Sequence, residues 1–297
     1  MSSQNEVFPA SFLILTQKFF ALPFVSPKKY LGQNFLRDEN IARKIVDAVA
    51  PTKNDVLIEI GPGHGVLTKY FFDNVQHLLA YEIDERVINE LREKFPASEI
   101  IYQDFLESDL RKISQQYSSS LRVVGNIPYN ITSQILFKLF DSANGNTFIR
   151  DATLMLQLDV AKRLVSKPKT KEYGILSVFT QHYADVELLF SVSPNCFFPK
   201  PKVTSAIVQL RFKKSKSNVL DENIFRTTVR TAFGKRRKIL RNALKYFPTD
   251  ETLISDYLLH TTFKLDVRPE ELTINDFIAL SNDITNFLST HHRISLS

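Results

Sequence analysis

The run LRVVGNIPYNIT, residues 121 to 132, carries an apolar stretch into Gly125 and Asn126, after which Pro128 fixes the backbone beside the ring of Tyr129. Together these residue types suit attack by the amino group of an aromatic base. Such a nitrogen is a poor nucleophile because its lone pair is delocalised into the ring, and hydrogen-bond acceptors on its two N–H bonds help restore nucleophilic character. Asn126 can offer its side-chain oxygen and Ile127 its carbonyl, Pro128 can hold that carbonyl in place, and Tyr129 can stack on the base. No general base is required before such an attack, since the product ammonium is acidic enough to lose a proton to water. Alignment and dipoles would stand in for proton transfer. Taken alone, the stretch also reads as a strand closed by a turn, because Asn and Pro are common turn residues and Pro cannot continue a central ladder.

Three further features fall at strand ends. In EIGPGHGVLT, residues 59 to 68, Gly61, Gly63 and Gly65 allow a tight turn and a close approach of backbone to ligand ahead of a helix. The spacing is G-x-G-x-G with Pro62 inside it, which departs from the dinucleotide pattern G-x-G-x-x-G. Glu82, 17 residues beyond Gly65, can accept both hydroxyls of a ribose, and Asp104 can accept a hydrogen bond from an adenine amino group. Either acid alone is more often a loop residue or a helix cap. The succession of glycine loop, Glu82, Asp104 and Asn126 at four strand ends points to one pocket.

The elements that would position these groups alternate. DVLIEIG (55 to 61), HLLAYEI (77 to 83), EIIYQDF (99 to 105), LRVVGNI (121 to 127) and ATLMLQL (152 to 158) read as strands, with helices such as ERVINELREKF (85 to 95) and SQILFKLF (133 to 140) between them. That order predicts a parallel, doubly wound α/β sheet with ligands at the carboxyl ends of its strands. Beyond Tyr173, YGILSVFTQHYADVELLFSV and VTSAIVQLRF read as two or three more strands at an antiparallel edge. A polar, lysine-rich passage at 213 to 223 leads into a helical C-terminal part.

At 297 residues and 43% hydrophobic composition the chain can bury a core of one large or two smaller domains. The lone Cys196 excludes an internal disulfide and suits a reducing compartment. The six histidines show no zinc-type spacing, His291 and His292 are expected in a frayed tail, and no metal site is expected. The formal charge of +6 is unevenly spread: fourteen Lys or Arg stand against Asp221 and Glu222 between Lys200 and Tyr246. There Arg226, Arg230, Arg237, Arg241 and Lys245 can line one side of a helical segment that turns Phe225, Val229, Phe233, Leu240 and Leu244 inward, with Gly234 dividing it. Basic and aromatic residues so interleaved predict phosphate binding. The apolar stretch within residues 1 to 27 is interrupted by Gln17 and Lys18 and is too short to span a membrane, so it reads as an extension.

The motifs KKYLGQNFL (28 to 36), EIGPGHG (59 to 65), NIPYN (126 to 130), KEYGILSV (171 to 178), FFPKPKVTSAIV (197 to 208), FGKRRKILRNAL (233 to 244) and RPEELTINDFIAL (268 to 280) together resemble the ribosomal RNA adenine N6-dimethyltransferases of the KsgA type. The resemblance covers nearly everything after residue 27. It implies a Rossmann-like methyltransferase sheet over 28 to 215, a smaller C-terminal helical domain over 216 to 297 that binds RNA, and S-adenosyl-L-methionine as methyl donor. By the same resemblance Asn34 and Leu36 close over the cofactor, Gly61 and Gly63 lie against it, Glu82 binds its ribose and Asp104 its adenine, and Asn126 joins cofactor to target base. Lys235, Arg236, Arg237, Lys238 and Arg241 are then the expected RNA contacts. The implied substrate is a pair of adjacent adenosines in a hairpin loop near the 3′ end of small-subunit ribosomal RNA, within a pre-small ribosomal subunit. A cytoplasmic monomer is expected. Two other readings stay open at this point, a large-subunit methylase of the erythromycin-resistance type and a non-catalytic ribosome-assembly factor.

Overall fold

The computed structural model describes residues 26–28, 31–143, 148–214 and 218–294. The extension expected over residues 1 to 27 lies outside them apart from its last two residues.

The described chain opens with a short outlying strand, β1 (Phe35–Leu36), and a helix, α1 (Glu39–Val49), that starts where the Asp38 carboxylate accepts the backbone N–H groups of Asn40 and Ile41. Strands and helices then alternate: β2 (Val56–Ile60), α2 (Thr68–Phe71), β3 (His77–Glu82), α3 (Glu85–Lys94), β4 (Glu99–Tyr102), α4 (Leu110–Gln116), β5 (Leu121–Asn126), α5 (Thr132–Ala143), β6 (Ile149–Gln157) and α6 (Leu158–Leu164). The second half adds α7 (Ile175–Tyr183), β7 (Ala184–Val192), β8 (Phe197–Phe198), β9 (Ser205–Phe212), α8 (Glu222–Gly234), α9 (Leu240–Leu244), α10 (Glu251–His260) and α11 (Ile274–Ile294).

Seven strands form one sheet in the order β4-β3-β2-β5-β6-β9-β7. The first five are parallel, and β9 runs antiparallel between β6 and β7. Helices cover both faces, so β2 is buried at every position and β3 and β5 at all but one each, which is why these segments read as continuous apolar runs. From β2 the chain steps outward to β3 and β4, then returns to place β5 on the other side of β2. The order reverses between β2 and β5, and a crevice opens there beyond the carboxyl ends of the strands. At the opposite end of the sheet the buried Arg122 guanidinium is held by Asp55 and Asp151 and by the carbonyls of Val49 and Ala50. Every charge of that cluster is paired, as a buried ion requires.

One expected strand is a helix. Within YGILSVFTQHYADVELLFSV only Ala184–Val192 is extended, and Ile175–Tyr183 is α7. Ser177, Val178, Phe179, Thr180, His182 and Tyr183 are all buried, because α7 is pressed between α5 and α8. The rings of Phe137 and Phe179 lie 5.5 Å apart on one side, and those of His182 and Phe225 lie 4.5 Å apart on the other. A helix wrapped this way has no polar stripe, so its sequence loses the 3.6-residue signal. The third strand is also shorter than its reading to Phe105: β4 stops at Tyr102, and Asp104 caps a single turn over Phe105–Glu107. At the C-terminus His291 belongs to α11, where a frayed tail was expected.

The basic segment divides at Gly234, where α8 ends. Phe225, Val229, Leu240 and Leu244 turn inward and join the core shared with α5, α7 and the sheet.

Candidate active site

The glycine loop after β2 is built around positive φ angles. Gly61, Gly63 and Gly65 have φ of +65°, +55° and +79°, a region that side-chain-bearing residues rarely adopt. At Gly61 a Cβ would meet nothing within 4 Å, so the loop leaves open space over the strand end. At Gly63 a Cβ would come within 2.8 Å of the Phe35 ring, so the segment around β1 sits directly against the loop.

Glu82 closes β3 facing this loop. Its carboxylate accepts the backbone N–H of Gly63 at 3.1 Å and those of Ile83 and Asp84 at 2.9 Å each. Burial pushes its carboxyl up, and the three N–H groups pull it back toward the ionised form. The neighbouring Asp84 is held well below the usual carboxylate range by the Arg86 guanidinium, and it also accepts the Gln33 side-chain amide at 2.9 Å. Asp104, half-buried, accepts the Leu106 N–H with one oxygen at 2.8 Å.

Asn126 ends β5 one register step beyond the Gly125–Ile60 pairing with β2. A Cβ on Gly125 would press to 2.8 Å from the Ile60 carbonyl, so the two strands meet here without room for a side chain. The Asn126 side-chain nitrogen donates to the backbone carbonyl of Asn34 at 2.7 Å. That bond assigns the nitrogen end of the amide and leaves the oxygen as the acceptor for an incoming donor. Asn34 reaches this position because Gly32, at φ +65°, folds the segment against Asn130 and Pro128, and because β1 pairs antiparallel with β8.

The remaining residues of NIPY are also held. The Ile127 N–H donates to the Met155 carbonyl at 3.1 Å, and the Pro128 carbonyl receives the Ile131 N–H and the Thr132 hydroxyl. The Tyr129 hydroxyl shares a 2.7 Å hydrogen bond with the hydroxyl of Ser205, a fully buried residue that begins β9. The tyrosine ring is therefore anchored at its far end.

Phe35, Leu36, Gly61, Pro62, Asn126 and Glu59 line the cleft at the switch point. Glu59, read only as part of a strand, is the residue missed by the sequence. It is buried, its Oε2 has no hydrogen-bond partner among the described residues, and burial pushes its carboxyl up to about 8, with Thr68 opposing and Glu82 adding repulsion.

In the basic segment Lys235, Arg237 and Lys238 are exposed, with the ammonium groups of Lys235 and Lys238 at 4.5 and 5.5 Å from the centre of the exposed Tyr246 ring. Arg236 and Arg241 have protein partners. Arg236 bonds to Glu270 at 2.8 Å and to the carbonyl of Lys171 at 2.7 Å, and Arg241 to the carbonyl of Leu258 at 2.7 Å. Arg226, expected on the same basic face, is turned to Asp141, Glu222 and Tyr183.

Residues 25–286 match the family described as ribosomal RNA adenine dimethylase. The chain belongs to that family. It is 42% identical over 260 residues to the ribosomal RNA small subunit methyltransferase A of Chlorobium phaeobacteroides, covering 88% of this chain and 94% of the relative. It is 40% identical over 258 residues to the protein of the same name from Francisella tularensis subsp. novicida, covering 86% and 96%. Among solved structures, a dimethyladenosine transferase from Plasmodium falciparum superposes with a TM-score of 0.72 at 24% identity, covering 85% of this chain and 98% of that one. The 23S rRNA methyltransferase ErmE superposes with a TM-score of 0.61 at 27% identity, covering 85% and 100%. As a ribosomal RNA adenine dimethylase the protein is an S-adenosylmethionine-dependent methyltransferase acting on ribosomal RNA, and neither a large-subunit methylase nor a non-catalytic factor is favoured.

The crevice fits that cofactor on its own chemistry: open backbone at Gly61, a ring of acceptors at Glu82 and Asp104, and an unpartnered carboxyl oxygen on Glu59. When bound, S-adenosylmethionine supplies an electrophilic methyl group on a sulfonium. For a dimethylase the chain's own task is then to align an amino group with that methyl, in a site whose donors and acceptors are already fixed.

Proposed function

We propose that this enzyme transfers two methyl groups to the N6 nitrogen of each of two adjacent adenosines in the 3′-terminal hairpin loop of small-subunit ribosomal RNA, working as a cytoplasmic monomer on a pre-small ribosomal subunit. In this reading Asn126 and the Ile127 carbonyl accept the two N–H bonds of the target amino group, Pro128 fixes that carbonyl, and Tyr129 stacks on the extruded base. Asn34, Leu36, Gly61, Gly63, Glu82 and Asp104 hold the cofactor, with Asn34 contributing through its backbone carbonyl. Lys235, Arg237 and Lys238 meet RNA phosphates, while Arg236 and Arg241 add positive charge from bonded positions. The C-terminal part from residue 216 carries this RNA-facing surface.

The observation that carries the reading is the orientation of the Asn126 amide: with its nitrogen bonded to Asn34 O, its oxygen is the end left to act as an acceptor. An exocyclic amino group is one nucleic-acid donor that such an acceptor can receive, and a 2.7 Å bond holds the amide in place before the base arrives. The choice of the small subunit is supported by the names of relatives about 40% identical over most of both chains. Incubating the protein with isotopically labelled S-adenosylmethionine and each ribosomal RNA, followed by mass spectrometry of ribonuclease fragments of each RNA, tests it. Dimethyladenosine confined to the 3′ region of the small-subunit RNA is expected. Label appearing in the large-subunit RNA instead would overturn the substrate assignment.

A further inference from the structure

A second basic segment, distinct from the one around Arg237, borders a cleft between the sheet and the C-terminal helices. From Lys162 to Lys171 the sequence is KRLVSKPKTK, with five cations and no acid. Lys162, Arg163, Lys167, Lys169 and Lys171 are all exposed, and none forms an ion pair with a described residue. Exposed lysines are ordinarily just solvated, so the number of charges decides little by itself. What distinguishes these is that the backbone carrying them is fixed.

Lys169 sits at φ +67°, a left-handed conformation uncommon for a residue with a side chain, and its N–H donates to the Glu270 carbonyl at 2.7 Å. Arg236 bonds to the carbonyls of Thr170 and Lys171 at 3.3 and 2.7 Å and to the Glu270 carboxylate at 2.8 Å. The buried Tyr173 ties the end of the strap to the Leu272 carbonyl at 2.9 Å. The strap is thereby pinned to the C-terminal part at three points, which lowers the ordering cost of binding a polyanion.

Its position relates to the chemistry. The helix α6 that bears Lys162 and Arg163 begins directly after β6, and β6 pairs with β5 so that Met155 lies opposite Asn126. The strap therefore leaves the sheet on its catalytic edge. Between strap and α8 lies a cavity of about 680 Å³, with Lys162, Arg163 and Lys171 on one side and Phe233 and Arg236 on the other. Asp159 and Glu172 share its rim, so the lining remains net positive.

We propose that the strap 162–171 is a second RNA-binding surface, gripping the phosphate backbone next to the target loop while the segment around Arg237 holds a more distant part of the same RNA. This rests on the reading of the protein as an RNA methylase and adds a contact region to it. It also gives Arg236 a positioning role: its hydrogen bonds hold the strap in shape.

The test is the triple variant Lys162→Ala, Lys167→Ala, Lys171→Ala, titrated with a synthetic RNA hairpin over a range of salt concentrations. If each lysine neutralises one phosphate, the slope of log affinity against log salt should flatten by roughly 2 to 3, at about 0.7 to 0.9 per contact. Calorimetric affinity for S-adenosylmethionine, measured on the same variant, should match the wild type and so show that it is folded. An unchanged salt slope in that folded variant would overturn the strap as an RNA surface while leaving the methylation assay untouched. Conversely, a wild type that fails to methylate small-subunit RNA yet binds the hairpin through the strap would sink the substrate reading and sustain this one. Wild-type protein that does not bind the hairpin at all would overturn the strap as an RNA surface, while the methylation assay still decides the substrate reading.

Discussion

The Asn126 side-chain nitrogen and the Asn34 carbonyl oxygen, 92 residues apart, lie 2.7 Å from each other. This contact ties the segment leading into β1 to the residue that ends β5 at the crevice. Order in one therefore depends on the other, and the amide oxygen is set before substrate arrives.

Asn126→Ala should accordingly lower single-turnover methylation at saturating RNA by on the order of 10² to 10³, the usual loss for one preorganised group. RNA affinity should change much less, because the interaction tightens as the nitrogen turns pyramidal. A folded variant with a wild-type single-turnover rate would remove Asn126 from the chemistry.

Glu82→Ala should weaken S-adenosylmethionine binding at least tenfold. Hydrogen bonds to a charged acceptor contribute about 1.5 to 3 kcal/mol each, and the lost carboxylate also organises the Gly63 N–H in the glycine loop. RNA affinity should survive. Calorimetry on the folded variant decides it, with unchanged cofactor affinity counting against the ribose assignment.

Tyr129→Ala should act mainly on RNA half-saturation, by about 1 to 3 kcal/mol if the ring stacks on a base, with Tyr129→Leu milder. Tyr129→Phe separates stacking from anchoring, since it keeps the ring and removes only the bond to Ser205. A phenylalanine variant as impaired as alanine would assign the effect to the hydroxyl and refute stacking as the main role.

How far the sequence could lead depended on the range of each interaction. Strands β2, β3 and β5 were legible because double-sided burial writes an unbroken apolar run, and the residues ending them were legible because they are polar where the run stops. Helix α7 was not, since burial on most sides erased its polar stripe. The role of Arg236 was hidden for another reason: its partners at Lys171 and Glu270 lie 65 and 34 residues away, and no local pattern distinguishes a staple from a phosphate ligand. The bond from Asn126 to Asn34 was equally out of reach, although the acid and amide types at the strand ends had already indicated one pocket. Glu59 was masked by its neighbours, because a single acid inside VLIEI reads as an interruption of a strand until its side chain is seen to line the crevice.

Glu59 also carries a pH signature. Burial pushes its carboxyl from the ordinary 4.5 up to about 8, so between those values the folded protein keeps a proton that the unfolded chain has lost. The folded state then binds more protons than the unfolded one, and stability must fall as pH rises through that window. Its contribution is fully favourable below about pH 4.5 and levels off above about pH 8. Glu59→Gln stays neutral throughout and should remove this slope, at most about 1.4 kcal/mol per pH unit for one proton. Without cofactor, urea unfolding at several values from pH 5 to 8.5 should show variant and wild type drawing apart as pH rises, with the variant the more stable at the upper end. Parallel curves across the window would mean that Glu59 is already ionised in the folded protein, and the crevice would then hold a fixed negative charge in place of a neutral acid.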